Sequence, residues 1–180
     1  MIAALRAEPE ARRRALDDAL QAALVAHLSE VGLPETVAVF SPLPGEPAMA
    51  ALVCAVRELG SRCVLPRVFE ERMTLHVWGS EDGLHPGGFG IPEPAAGAPA
   101  VPAVDVGLWL VPGLLFDLAG HRLGRGRGYY DRTLAGLGAR RIGVCYGAQV
   151  VDAVPAGPMD ERVHALATER GVVGCPRALA

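Results

Sequence analysis

The sequence predicts a single α/β domain, residues 1–180, built on a mainly parallel central sheet. Three observations support this prediction. Short apolar runs of strand length alternate with segments of helical periodicity. The most hydrophobic run, residues 106–111, suits a strand buried at the centre of a parallel sheet. A glycine-rich loop follows that run, and open α/β sheets bind ligands beyond the carboxyl ends of such strands.

The first helix is predicted over residues 1–31, because apolar residues recur there at helical spacing. These residues are Leu16, Leu20, Leu24, Leu28 and Val31. Pro9 suits a first helical turn better than a helix interior, so we expect the regular helix to begin near it. A short apolar strand follows over residues 37–40 and is ended by Pro42 and Pro44.

A second helix is predicted over residues 46–59. Its apolar face consists of Met49, Leu52, Val53 and Val56. Residues 63–66 and 73–78 are the second and third predicted strands. Residues 87–94 are rich in glycine and proline and are expected to form a loop, and residues 95–103 are expected to be a surface connection.

The second half of the chain is predicted to complete the same sheet. Residues 106–111 form its central strand, residues 129–137 a helix closed by Gly138, and residues 141–146 a further strand. We refer to residues 122–131 as the arginine loop. They follow the central strand and include the first three residues of this helix. The sequence of the loop is RLGRGRGYYD.

The composition of the arginine loop indicates an anion-binding site. Its glycines are Gly124, Gly126 and Gly128, and its arginines are Arg122, Arg125 and Arg127. Glycines let backbone N–H groups turn toward a bound group, and arginines supply paired planar donors that suit phosphate or carboxylate. The start of the next helix adds partial positive charge. Asp131 either holds Mg²⁺ beside bound phosphates or is a first-turn carboxylate favoured by the helix dipole.

Other functions of such a loop are disfavoured by the rest of the chain. Glycine- and arginine-rich segments are also typical of flexible surface loops and RNA-binding tracts. This motif occurs once, however, and a formal net charge of −3 lacks the basic excess of a nucleic-acid-binding protein. The loop also lacks the Gly-Lys-Ser/Thr of a Walker motif.

The bulk composition is typical of a cytoplasmic protein. Hydrophobic residues make up 51% of the chain, which suffices for a core, but no apolar run has the length of a membrane span. The first residues lack the apolar segment of a signal peptide. The four cysteines have neither metal-site nor redox-motif spacing. We therefore expect a cytoplasmic protein that interacts with neither membrane nor nucleic acid. We also expect it to be a monomer.

The arginine loop and the residues before it resemble a known family signature. Residues 111–117 read VPGLLFD, Gly120 follows, and RLGRGRGYYD comes next. This combination is similar to the signature of the 5-formyltetrahydrofolate cyclo-ligases, also called methenyltetrahydrofolate synthetases. The similarity runs from Leu5 to Glu169. It implies a three-layer α/β/α, Rossmann-like fold, with which the alternation of strands and helices agrees.

The resemblance also implies an enzyme that uses ATP and Mg²⁺ to convert 5-formyltetrahydrofolate to 5,10-methenyltetrahydrofolate, ADP and phosphate. In this reaction the formyl oxygen is phosphorylated and N10 closes the ring. The implied ATP-binding residues are Arg6, Arg122, Leu123, Gly124, Arg125, Gly126, Arg127, Gly128, Tyr129 and Tyr130. We expect Arg125 and Arg127 to be catalytic, by stabilising charge on the transferred phosphoryl group.

Further residues are implied to bind the reduced folate and the metal. The implied folate-binding residues are Ser41, Glu46, Phe89 and Tyr129. A carboxylate at Glu46 can accept paired hydrogen bonds from a pterin, although Glu46 could instead be a first-turn helix carboxylate. Asp131 is the implied magnesium ligand. Glu93 is expected to be structural and to fix its own loop.

Two positions depart from the family pattern. Ile2 occupies the position of a lysine thought to approach ATP phosphates, so Arg6, or one of the arginines at 12–14, would have to replace it. His164 occupies the position of an aspartate implicated in magnesium binding, and magnesium takes imidazole poorly. Asp131 with phosphates and water could suffice, Asp160 or Glu161 could substitute, or metal use could be altered. His164 could also be an ordinary half-buried histidine.

These departures motivate an alternative function. The chain could be a catalytically impaired folate- or nucleotide-binding protein on the same fold. The presence of Arg125, Arg127 and Asp131 favours the enzyme. A weaker alternative, RNA binding through the arginine loop, predicts affinity that falls steeply with salt and no ATP turnover.

Overall fold

A computed structural model of the protein describes residues 3, 7–70, 72–79, 84–87 and 90–176. Its helices are α1 (Glu10–Val31), α2 (Ala50–Glu58) and α3 (Tyr129–Leu134). Its strands are β1 (Thr36–Ala38), β2 (Arg62–Phe69), β3 (Arg72–Val77), β4 (Leu84–Pro86), β5 (Pro92–Pro94), β6 (Ala100–Val101), β7 (Leu108–Val111), β8 (Leu115–Asp117), β9 (Arg122–Leu123), β10 (Arg140–Val144), β11 (Val150–Val151), β12 (Ala165–Thr168) and β13 (Gly171–Gly174).

The main sheet has the strand order β13-β12-β10-β7-β1-β2-β3-β6. Its five central strands, from β12 to β2, are parallel, and the strands at both edges are antiparallel to their neighbours. Strand β7 lies between β10 and β1, and all four of its residues are buried. The central parallel strand predicted within residues 106–111 is therefore confirmed.

Helices cover both faces of this sheet, because successive side chains of its strands enter different cores. Leu108 and Leu110 of β7 belong to the core that contains Leu24 of α1. Trp109 and Val111 belong to the core that contains Leu134 of α3. The predicted α/β fold with three layers is confirmed.

Helix α2 begins at Ala50, four residues later than predicted, and α1 caps its start. The residue before it, Met49, provides no side-chain cap. Asp17 Oδ1 instead accepts a hydrogen bond from the Ala48 N–H at 3.0 Å, and Gln21 Oε1 accepts one from the Leu52 N–H at 2.9 Å. Two polar side chains of α1 thereby position both the helix and the turn before it.

Helix α3 ends at Leu134, three residues earlier than predicted, and Gly136 rather than Gly138 has left-handed backbone, with φ 74°. The carbonyl oxygens of Leu134 and Leu137 accept hydrogen bonds from Arg141 Nη2 at 2.9 and 2.8 Å. A buried arginine of β10 thus satisfies the carbonyl groups that the shortened helix leaves free.

Other elements differ from prediction at their edges. The predicted loop at 87–94 contains β5, which pairs with β4, and the predicted connection at 95–103 contains the edge strand β6. Strand β2 is longer than the predicted 63–66 because it pairs with β3 along its length. Val31, predicted to be on the apolar face of α1, is 46% exposed at the end of that helix. Among the described residues, the helices are too short or too polar to span a bilayer.

Candidate active site

A cleft of about 730 Å³ opens beyond the carboxyl ends of β1, β2 and β7. Phe40 and Ser41 follow β1, and Pro112 and Gly113 follow β7. The arginine loop lines the cleft. Parallel α/β sheets place ligands at this edge, so the cleft lies where the sequence predicted a site.

The lining of the cleft contains a set of apolar side chains and a set of charged ones, which we call its apolar half and its charged half. The apolar half is lined by Phe40, Leu43, Pro66, Val68, Met73 and Ile91. The charged half is formed by the arginine loop together with Asp160. A flat heteroaromatic group would be desolvated in the apolar half, while the arginines would attract a phosphate in the other.

Glu46 connects the two halves. It lies in a turn in which its own N–H donates to the Leu43 carbonyl oxygen at 2.9 Å, so the first-turn helix alternative for Glu46 is wrong. Its Oε2 accepts from the Leu43 N–H at 2.9 Å, and its Oε1 accepts from Arg125 Nη2 at 3.0 Å. The Glu46 side chain is only 6% exposed, whereas that of Arg125 is 39% exposed.

The middle of the arginine loop is exposed and depends on two glycines with left-handed backbone. These are Gly126, with φ 81°, and Gly128, with φ 63°. Arg132 Nη1 donates to the Arg127 carbonyl oxygen at 2.9 Å and thereby fixes the end of the loop. Helix α3, which follows, has six residues, so its dipole contributes less than the longer predicted helix would.

The two ends of the arginine loop are joined by an ion pair. Arg122 Nη2 lies 2.9 Å from Asp131 Oδ1, and the Arg122 guanidinium lies over the Tyr130 ring at 5.5 Å. Burial raises the pKa of Tyr130, and the nearby Arg122 only partly opposes this rise. Tyr130 therefore remains a neutral phenol at physiological pH.

Tyr129 ties the arginine loop to the hairpin of β2 and β3. Its hydroxyl group donates to the Glu70 carbonyl oxygen at 3.0 Å. Glu70 occupies the turn between these strands and has a φ of 53°, which is uncommon for a residue with a side chain. Tyr129 also lines the cleft, so one side chain contacts both the ligand space and the hairpin.

The acidic residues near Asp131 differ in whether their carboxylates line the cleft or pair with an arginine. Asp160 lines the cleft, whereas the Glu161 carboxylate lies 2.6 Å from Arg141 Nη1. His164 is exposed and lies outside the lining of the cleft, and its Nδ1 accepts from the Arg141 N–H at 3.1 Å. The geometry thus gives no support to a metal role for His164. Within the described parts of the chain, no three His, Cys, Asp or Glu side chains cluster as a metal site.

Gln149 supports the cleft and was not predicted. It is 1% exposed, and its Nε2 donates to the carbonyl oxygens of Gly113 and Leu114 at 3.0 and 3.1 Å. Its Oε1 accepts from the Tyr146 N–H at 2.9 Å. This amide holds together the segments that follow β7 and β10. A single glutamine after a strand gives no sequence signal for such a role.

Asp117 fixes the hairpin that leads into the arginine loop and was likewise not assigned a role. Its carboxylate accepts from the N–H groups of His121 and Val154, both at 2.9 Å, and lies 2.9 Å from His121 Nδ1. Burial alone would raise the pKa of Asp117, but these hydrogen bonds outweigh it and lower that pKa below its ordinary value. Asp117 is therefore ionised and structural.

Most predicted site residues line this one cleft. Besides the arginine loop they include Ser41 and Glu46. Arg6 and Phe89, together with Ile2, lie outside the described residues. Glu93 is 5% exposed and accepts from the Val68 N–H at 3.2 Å, which agrees with the structural role predicted for it.

Comparison with known proteins identifies related sequences. A family model described as the 5-formyltetrahydrofolate cyclo-ligase family matches residues 1–169. The 5-formyltetrahydrofolate cyclo-ligase of Mycolicibacterium smegmatis is 37% identical over 149 residues, which cover 77% of this chain and 76% of that protein. A mitochondrial 5-formyltetrahydrofolate cyclo-ligase of Arabidopsis thaliana is 37% identical over 86 residues, which cover 41% of this chain and 31% of that protein.

Solved structures have the same fold. The 5,10-methenyltetrahydrofolate synthetase of Aquifex aeolicus superposes with a TM-score of 0.82 at 32% identity, covering 99% of this chain and 92% of that one. The 5,10-methenyltetrahydrofolate synthetase of Mycoplasma pneumoniae gives a TM-score of 0.77 at 22% identity and covers 93% of each chain. At that lower identity the second likeness supports the fold alone.

Proposed function

Because this chain belongs to the 5-formyltetrahydrofolate cyclo-ligase family, we propose that its cleft converts 5-formyltetrahydrofolate and ATP to 5,10-methenyltetrahydrofolate, ADP and phosphate. The contact between Glu46 and Arg125, at 3.0 Å, is the observation that supports this best. It joins an apolar half suited to a pterin to an arginine loop suited to phosphates. One cavity can therefore hold both ligands with their reacting groups adjacent.

The two ligands must be adjacent because the formyl oxygen is a poor leaving group. Transfer of the terminal phosphoryl group of ATP breaks the anhydride P–O bond and forms a P–O bond to the formyl oxygen. The N10 lone pair then attacks the formyl carbon, and phosphate departs with the former formyl oxygen. The N10 proton is released to phosphate or water. The protein contributes alignment and charge stabilisation.

Arg125 and Arg127 are the residues we assign to the transferred phosphoryl group. Both lie in the exposed middle of the arginine loop and line the cleft. A guanidinium group offers two parallel N–H donors to phosphate oxygens and keeps its charge at any physiological pH. The loop N–H groups between Leu123 and Tyr130 supply further donors to ATP.

Glu46, Ser41 and Tyr129 are the residues we assign to the folate. Glu46 is mostly buried beside the apolar half, where a carboxylate forms stronger hydrogen bonds than it does in water. It can accept paired hydrogen bonds from the amino group and ring N–H of a pterin. Such a ligand would compete with Arg125 for Glu46 Oε1, and thereby free the arginine for phosphate.

The residues present fit a magnesium ion that is held largely by ATP. Magnesium in such sites is bound through one or two carboxylates together with substrate phosphates and water. Asp131 and Asp160 both line the charged half, and they are the carboxylates we assign to the ion. When bound, the ion would neutralise charge on the phosphates.

The alternative of a catalytically impaired binding protein is less well supported. It was motivated by Ile2 and His164, and His164 lies outside the lining of the cleft. We propose that the active protein is a monomer in the cytoplasm.

The proposed reaction is tested by mixing purified protein with 5-formyltetrahydrofolate, ATP and Mg²⁺. The absorbance of the methenyl product should rise together with ADP in equal amounts. Arg127→Met should lose this activity, while Arg140→Met should retain it, since Arg140 is exposed at the amino end of β10. Binding of ATP or folate by the wild-type protein without either product would contradict the proposal.

A further inference from the structure

Arg122 differs from the other two arginines of the arginine loop in being buried. Its side chain is only 6% exposed, and its Nε is inaccessible, with no hydrogen-bond partner in the described structure. Nη2 donates to Asp131 Oδ1 at 2.9 Å, and Nη1 donates to the Pro112 carbonyl oxygen at 3.5 Å. One guanidinium group therefore links the end of the arginine loop to the segment after β7.

Two glycines provide the space that Arg122 occupies. A Cβ at Gly124 would lie 2.7 Å from Arg122 Nη1, and a Cβ at Gly113 would lie 2.7 Å from Phe116 Cζ and 2.9 Å from Arg122 Cγ. A Cβ at Gly126, by contrast, would have no neighbour within 4 Å. Gly124 does not have left-handed backbone, so its lack of a side chain is explained by the arginine rather than by its own φ.

We propose that Arg122 is a positioning residue rather than a ligand of the ATP phosphates. It orients Asp131 and holds together the two ends of the arginine loop, Arg122 and Asp131, which we call the base of the loop. This inference rests on the proposed function for its kinetic consequences. The guanidinium group is already committed to a carboxylate, a carbonyl oxygen and an aromatic face. Without it, Asp131 and the loop arginines would lose their alignment with the reacting groups.

The first test separates catalysis from nucleotide binding. Arg122→Met should lower kcat per folded molecule about 100-fold, as expected when reacting groups are misplaced. The Kd of a non-hydrolysable ATP analogue should change by less than about threefold, because no phosphate contact is removed. Arg122→Lys should not restore kcat, since an ammonium group cannot bridge both acceptors. A large rise in Kd, or full rescue by lysine, would overturn the proposal.

The second test uses Gly124 to displace the Arg122 guanidinium without removing its charge. Gly124→Ala should lower kcat about tenfold in the wild-type background, because the new methyl group would lie 2.7 Å from Nη1 and so displace the guanidinium group. In the Arg122→Met background the same substitution should cause no further loss. An equal loss in both backgrounds would show that Gly124 accommodates the ligand instead, and would overturn the proposal.

The third test does not depend on the reaction. In ligand-free protein, amide hydrogen exchange of residues 123–131 should accelerate about tenfold in Arg122→Met and in the milder Gly124→Ala. The matched variant Arg140→Met should exchange like wild type. Unchanged exchange in both loop variants would overturn the positioning role even if the enzyme is active. Accelerated exchange in the two loop variants, together with no turnover by the wild-type protein, would refute the proposed function alone.

Discussion

The base and the tip of the arginine loop are built differently. At the base, the Arg122 side chain is 6% exposed and pairs with Asp131, which is 20% exposed. At the tip, residues 124–128, Arg125 is 39% exposed and reaches across the cleft to Glu46. Both arginines form an ion pair at about the same distance, 2.9 and 3.0 Å, so burial and partner distinguish them.

This difference indicates that the base and the tip of the arginine loop have different roles. A buried ion pair is costly to break, because the remaining partner is left as an uncompensated charge. In the Arg125–Glu46 pair only the arginine is partly exposed, so this pair can open when a ligand offers new partners to both groups. The base therefore suits a fixed support, and the tip suits residues that exchange partners during the reaction.

The largest effect is expected at the tip. Arg125→Ala should lower turnover about 1000-fold, because it removes a positive charge that stabilises the transferred phosphoryl group. The free energy of unfolding should fall by less than about 2 kcal/mol, because Glu46, although only 6% exposed, keeps its hydrogen bond from the Leu43 N–H. Urea unfolding and steady-state kinetics on the same preparation check both values, with Arg140→Ala as the control. Full activity in Arg125→Ala would remove the tip from the mechanism.

The opposite pattern, a loss of stability larger than the loss of turnover, is expected at Arg141, which pairs with Glu161 and closes α3. Arg141→Met should lower the free energy of unfolding by about 3 kcal/mol, because it leaves Glu161 without its partner and α3 without its cap. Turnover per folded molecule should fall less than in Arg125→Ala. Urea unfolding with Arg140→Met as the neighbouring control measures this, and equal stability of the two variants would contradict the account.

A substitution at Glu46 distinguishes binding of the folate from binding of ATP. Glu46→Gln should raise the KM for 5-formyltetrahydrofolate about 100-fold, since an amide cannot replace both acceptor oxygens of the carboxylate. The Kd of the ATP analogue should not weaken, because Arg125 is released. Glu30→Gln, at an exposed position of α1, is the matched control. An unchanged folate KM would remove Glu46 from the folate site.

The smallest effect is expected at His164. His164→Asp should leave the magnesium dependence of turnover unchanged within about twofold, because the side chain faces Arg141 rather than the cleft. The check is a magnesium titration of rate for both proteins at saturating ATP. A clear fall in the magnesium requirement would place this position at the ion and contradict the geometry.

The sequence predicted those features that depend on local pattern. The apolar run at 106–111 predicted the central strand. The composition of the arginine loop predicted an anion site beyond the carboxyl end of that strand. The strand prediction is confirmed, because burial of a parallel strand leaves a direct signal in the chain. The arginine loop lines a cleft at the expected edge of the sheet, and anion binding there stays a prediction. The same pattern could not distinguish Arg122 from Arg125, since both are arginines of one glycine-rich segment.

The features that sequence missed depend on contacts between distant residues. Gln149 and Asp117 hold segments 36 and 37 residues away in sequence, and their residue types are common at surfaces. The ends of α2 and α3 were misplaced for the same reason, because α1 caps the first and Arg141 closes the second. Periodicity carries no information about such partners.

The fate of the formyl oxygen tests the proposed chemistry most directly. The substrate would be prepared with ¹⁸O in its formyl group, and the phosphate released by the wild-type enzyme would be analysed by mass spectrometry. If the formyl oxygen is phosphorylated in the cleft, each phosphate carries one ¹⁸O atom and its amount equals that of the methenyl product. Unlabelled phosphate released alongside methenyl product would mean that ATP is hydrolysed by water, and would contradict the account.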